Sequence, residues 1–152
     1  MYSQSGLTDI VNTALVNLSY NEESERLIAP VKYVLSMGGK RLRPVLALLS
    51  CNLFSDKIDE AVIPSAGLEV FHNFTLIHDD IIDKSDMRRG KPSVHTMLNH
   101  YLKRFKKIKF NGEDLAIVIG DILYALALYA FLSIKEDVKR KERALQKFIE
   151  TT

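Results

Sequence analysis

A single cysteine, Cys51, is present in 152 residues, so no disulfide can form within the chain and a reducing compartment is expected. Its place in the apolar run VLALLSCNLF points to packing rather than reactivity. Proline (4) and glycine (7) are too scarce to build a linker, and no repeat or low-complexity tract occurs, so one domain over residues 1–152 is expected. The formal charge is only +2, which excludes a molecule-wide trap for nucleic acid. Any polyanion binding has to be local. No basic start followed by an apolar block opens the chain, and the longest apolar run, 122–134, is shorter than the ~20 residues of a bilayer span. These absences lead to the expectation of a cytoplasmic protein with no integral membrane segment and no nucleic-acid partner.

What the sequence does contain is the helical period. Apolar residues recur three and four apart in nearly every segment, which predicts an all-α chain with helices at about 7–19, 24–37, 43–54, 61–83, 93–104, 114–133 and 136–150. Gly38-Gly39 stops the second helix, Pro44 suits the first turn of the third, and SMGGKRLRP becomes a corner between them. KRFKKIKFNGED, residues 103–114, reads as a solvated loop with a turn at Asn-Gly, the other use of so basic a stretch being contact with RNA or an anionic membrane. GDILYALALYAFLSI reads as a core or dimer-interface helix, with Asp121 able to serve as an N-cap.

The segment LIHDDIIDKSDMRRGKP places four aspartates in the eight positions 79–86 and turns basic at Arg88 and Arg89. On a helix of about 100° per residue, with Asp79 at zero, Asp83 falls near 40°, His72 near 20° and Asp80 near 100°. Asp79, Asp83 and His72 therefore share a face. Carboxylates one turn apart repel, and a shared hard cation removes that cost; Mg²⁺ in particular takes one or two carboxylates together with waters and substrate phosphates. Arg88 and Arg89 can reach phosphate oxygens with forked donors, and Lys40, Arg41 and Arg43 form a second basic cluster at the Gly-Gly corner. A solvated acidic helix end is the plain alternative. Asp86 suits capping of the loop that follows.

With these residues assembled, the chain resembles the trans-isoprenyl diphosphate synthases, or polyprenyl synthetases. The resemblance rests on GGKRLRP (38–44), DDIID (79–83) and RRG (88–90), with HNFTLIHDD, GKPSVH and GDILYALAL around them. A lone DDxxD would be shared with terpene cyclases, whereas the ordered set is specific. It implies the N-terminal portion of the isoprenoid synthase helical bundle and a Mg²⁺-dependent prenyltransferase that ionises an allylic diphosphate and couples it head-to-tail to isopentenyl diphosphate, in a homodimer. By the resemblance, Asp79 and Asp83 are Mg²⁺ ligands, Asp80 supports them and Arg88 contacts the allylic diphosphate. Lys40, Arg43, His72 and Arg89 hold the diphosphate of isopentenyl diphosphate. Phe74 and Thr75, five and four positions before the first aspartate, are similar to the floor that limits a product to C15 or C20, core packing being the alternative for Phe74.

The departure from the family lies at the C-terminal side. Family members are about twice as long and carry a second aspartate-rich motif, whereas after Asp86 only Asp114, Asp121 and Asp137 remain here. The expectation is an incomplete polyprenyl synthetase domain, inactive alone; the alternative is a non-catalytic binding or regulatory subunit of a prenyl synthase complex. An HD-type metal phosphohydrolase, built from His78-Asp79 with His72, His95 or His100, is a remote third reading that leaves GGKRLRP and RRG unexplained. His78 falls near 260° on the same wheel of about 100° per residue, off the acid face. His95 and His100 are expected to have structural or surface roles.

Overall fold

The computed structural model describes residues 2–18 and 25–151. Among the described residues seven helices follow one another: α1 (Gln4–Asn17), α2 (Glu25–Leu35), α3 (Leu42–Asn52), α4 (Asp59–Ile82), α5 (Val94–Leu102), α6 (Gly112–Leu132) and α7 (Val138–Glu150). Each expected helix is found, with ends displaced by a few residues; the expected limits at 19 and 24 lie outside the described residues. Two compact units are formed. The first holds α1, α3, α7 and stretches of α4 and α6, and the second holds α2, α5 and the remainder of α4 and α6.

Local chemistry sets the helix starts. Ser3 caps α1 by accepting from the Gly6 amide at 3.1 Å, and Asp137 caps α7 by accepting from Arg140 at 3.1 Å. α6 begins with a reciprocal box in which Asn111 Oδ1 accepts from the Asp114 amide (2.8 Å) and Asp114 Oδ2 from the Asn111 amide (3.0 Å). Asp121 is therefore not a cap; it sits exposed in the middle of α6, because the helix continues through Gly120. In the first unit α1 packs on α3, and Phe131 stacks on the buried Phe148 of α7 at 4.3 Å.

Although the longest unbroken apolar run is short, α6 as a whole is 21 residues and is long and apolar enough to cross a membrane. Its buried residues Ala116, Ile119, Leu123, Leu126, Ala127 and Ala130 recur at three- and four-residue spacing, the pattern of a core helix.

One departure from the all-helical expectation is a small antiparallel hairpin joining α4 to α5. Its strands are β1 (Met87–Arg88) and β2 (Lys91–Pro92), paired Met87 with Pro92 and Arg88 with Lys91. The two turn residues, Arg89 (φ 52°) and Gly90 (φ 76°), both have positive φ, as a two-residue type I′ hairpin requires. Glycine meets that demand freely at position 90, whereas Arg89 bears a conformational cost.

Candidate functional site

The second unit carries the aspartate segment. Along α4 the buried residues Ala66, Val70, Asn73, Ile77 and Asp80 step by three or four, so the last member of the core stripe is a carboxylate. Asp79 and Asp83 lie about 100° and 60° around the helix from Asp80, off the edge of this stripe, and are exposed. His72 and Thr75 are half-buried, and the Thr75 hydroxyl donates to the His72 carbonyl at 2.8 Å.

All three acids lie where a helix is least hospitable to them. α4 ends in a Schellman motif: the Ser85 amide donates to the Asp80 carbonyl (2.8 Å), the Lys84 amide donates to Ile81 (3.3 Å), and Lys84 is left-handed at φ 53°. Asp79, Asp80 and Asp83 thus occupy the last turn, at the negative end of the macrodipole, and no basic residue shares that turn. Like charges at i, i+4 add to the cost.

Arg88 neutralises one of the three. Its Nε donates to both Asp80 oxygens (2.9 and 2.8 Å) and Nη2 donates to Oδ1 at 2.6 Å. The Asp80 side chain is 3% exposed and that of Arg88 28%. Hydrogen bonding to Asp80, reinforced by the charges of Asp80, Asp79 and Asp83 and opposed by burial, raises the Arg88 pKa above the ordinary arginine value. Arg88 is a fixed cation. One edge of its guanidinium is locked on Asp80, while Nη1 has no partner among the described residues and remains able to donate to an anion. Arg89 reaches back to donate to the Gly38 carbonyl, and Tyr33 donates to the Pro92 carbonyl at 2.8 Å. The hairpin is thereby tied to α4 at one point and to α2 and its following corner at two others.

Asp79 and Asp83 make no side-chain hydrogen bond or ion pair among the described residues, and no three His, Cys, Asp or Glu side chains converge there into a closed cage. Two free carboxylates at a negative helix end, without a third protein ligand, fit Mg²⁺, which keeps waters and shares phosphate oxygens. They do not fit the closed tetrahedral set of structural zinc.

The remaining sequence candidates divide. Lys40 and Arg43 lie in the first unit, both exposed, in the corner and first turn of α3. Arg41 does not join them in a basic cluster: it is 4% exposed, pairs with the buried Glu69 at 2.7 Å and donates from Nε to Asn12 at 3.0 Å. Its left-handed backbone (φ 50°) turns it inward between two cations that point out. Phe74 packs with Phe71, Tyr124 and His78 at centroid distances of 5.4, 5.3 and 4.6 Å. His78 Nε2 is buried without a hydrogen-bond partner against Gly120, where an added Cβ would come within 2.5 Å of it. His95 is buried and Asp86 borders the start of α5, where its carboxylate accepts from Thr96 at 3.2 Å. His100 is exposed. Sequence reasoning missed the Asp80–Arg88 pair, although the wheel separated Asp80 from its neighbours.

A family model described as polyprenyl synthetase matches residues 24–152. The chain is 40% identical over 124 residues to the short chain isoprenyl diphosphate synthase of Methanocaldococcus jannaschii, covering 82% of this chain and 34% of that protein. It is 38% identical over 127 residues to the geranylgeranyl pyrophosphate synthase of Geoglobus acetivorans, covering 84% and 35%. A crystal structure of geranylgeranyl pyrophosphate synthase superposes with a TM-score of 0.82 at 32% identity, over 99% of this chain and 42% of that one. The chain spans about a third of the length of these curated relatives. The helical bundle, the ordered motifs and these likenesses place the chain in the polyprenyl synthetase family.

Proposed function

We propose that this chain supplies the first aspartate-rich wall of a prenyltransferase that condenses an allylic diphosphate with isopentenyl diphosphate to a short C15 or C20 product, as a cytoplasmic homodimer. The observation that carries the reading is the division of labour at the end of α4: Asp79 and Asp83 exposed and unpartnered, Asp80 turned inward onto Arg88. Asp79 and Asp83 would hold Mg²⁺, which when bound neutralises a departing diphosphate as a Lewis acid. Arg88, locked through one edge, offers Nη1 to the allylic diphosphate at no cost in ordering its side chain. Negative charge grows on that leaving group as its C–O bond breaks, and a prepositioned cation favours the ionised state over the intact ester. Lys40, Arg43, His72 and Arg89 are assigned to the second diphosphate, whose double bond attacks the allylic cation before a proton is lost. Phe74 and Thr75 are assigned to limiting product length.

Calorimetric titration of the 152-residue chain with inorganic diphosphate tests the reading. Binding that requires Mg²⁺ is expected, and Asp79→Asn or Asp83→Asn should weaken it at least about tenfold, the loss of a charged contact. Mg²⁺-dependent binding unchanged in the double variant would refute the assignment. The chain alone is expected not to couple isopentenyl diphosphate to an allylic diphosphate.

A further inference from the structure

The loop between α5 and α6 has no part in the site above. It holds five cations in seven residues, Lys103, Arg104, Lys106, Lys107 and Lys109, and all are exposed. None forms a salt bridge with a carboxylate among the described residues, so the charge is not neutralised locally. Interleaved with them are large apolar side chains directed to solvent: Phe105 is 47% exposed, Ile108 38% and Phe110 64%. Lys103, Phe105, Lys107, Ile108 and Phe110 of this loop wall one side of a groove of about 670 Å³ whose other side is formed by α5 and Asp86.

The base of the loop is fastened. Asn99 Oδ1 accepts from the Gly112 amide at 2.6 Å, the Asn111–Asp114 box closes the far end, and Tyr101 and Phe105 pack ring to ring at 5.3 Å. A pinned base with an exposed tip holds the mixture of cations and apolar groups away from the core. Cations alone would suit any polyanion. Phenylalanine rings stack on unpaired bases as readily as they enter a bilayer, but the exposed aliphatic Ile108 beside them favours the bilayer, where all three side chains enter the acyl boundary beneath anionic headgroups.

We infer that residues 103–110 form a peripheral docking surface for an anionic lipid membrane. The inference does not rest on the prenyltransferase reading, since it uses none of the same residues.

Co-sedimentation of the 152-residue chain with lipid vesicles tests it. The chain should sediment with phosphatidylcholine vesicles containing about 30% phosphatidylserine in about 0.1 M salt and remain in solution with phosphatidylcholine alone. Each cation removed near an anionic surface weakens partitioning about fivefold, so the K106S/K107S variant should bind roughly thirtyfold less. The F105S/F110S variant, with all cations kept, should lose at least about tenfold. Because all four side chains are exposed, both variants should retain the far-ultraviolet circular dichroism of the parent. Failure to sediment with anionic vesicles overturns the inference. So does binding indifferent to F105S/F110S, and so does tighter binding to a single-stranded RNA oligonucleotide than to the vesicles, which would make the loop a nucleic-acid contact.

Discussion

Replacing either member of the Asp80–Arg88 pair breaks the same hydrogen bonds, yet the two changes should not cost the same. Arg88→Met leaves the Asp80 carboxylate, only 3% exposed, with no counter-charge, and stranding a buried charge costs about 3–5 kcal/mol. Asp80→Asn leaves a guanidinium that is 28% exposed and can draw on water, while the new amide oxygen still accepts one bond; about 1–3 kcal/mol is expected. For a chain of this size each kcal/mol moves the melting temperature by roughly 2–4 °C, so Arg88→Met should melt roughly 6–20 °C below the parent and Asp80→Asn much closer to it. The double variant Asp80→Leu/Arg88→Met removes both charges and should regain most of the loss, because a buried ion pair exchanged for apolar groups of similar volume is close to neutral. Thermal melts followed by circular dichroism read all three. Equal losses in the single variants, or a double variant destabilised by their sum, would refute the idea that Asp80 is a buried anchor whose partner is Arg88.

Gly120→Ala should lose about 1–3 kcal/mol by overpacking, since its Cβ would lie 2.5 Å from His78 Nε2, and Gly120→Ala/His78→Ser should recover part of that loss in the same melts. Arg41→Met should destabilise by about 3–5 kcal/mol by breaking its buried ion pair with Glu69, whereas Lys40→Ala and Arg43→Ala should stay within about 0.5 kcal/mol, a contrast that denaturant titration resolves. Burial raises the Tyr33 phenol above its ordinary value of 10.0. The stability tied to that group is present below the unfolded-state value and is lost as pH rises through the folded one, since the unfolded chain ionises first. Tyr33→Phe should therefore abolish part of the fall in stability above pH 10.0 while costing about 1 kcal/mol at neutral pH for the bond to Pro92, as melts across the alkaline range would show.

The helices were legible because the apolar period is strong, and the face shared by Asp79 and Asp83 was legible because a regular helix fixes angles. What escaped were features decided by contacts distant in sequence. Arg41 looks no different from Lys40 or Arg43 in GGKRLRP; only the left-handed backbone and a carboxylate 28 residues away turn it inward. The faint signal was Glu69 itself, a lone acid inside the apolar stretch AGLEVF. The hairpin escaped because two-residue strands cannot show alternation and its turn is Arg-Gly rather than the familiar Asn-Gly. Asp121, which follows Gly120, suited an N-cap by residue type alone, although the helix expected over 114–133 already ran through it. That glycine instead makes room for His78 within a continuous α6.

Among the described residues, the four non-glycine positions with positive φ, Arg41, Lys84, Arg89 and Lys107, are all cations. A left-handed backbone costs an ordinary residue about 1–2 kcal/mol that glycine or asparagine largely avoids. A library of this gene selected only for thermal stability would therefore drift toward Gly or Asn at the exposed positions 84, 89 and 107, and each step would erase a positive charge. At 89 the stabilised winners would lose one arginine of the RRG turn, and at 107 a cation from the basic loop, so heat resistance and the anion recognition proposed above would be won from the same residues in opposite directions.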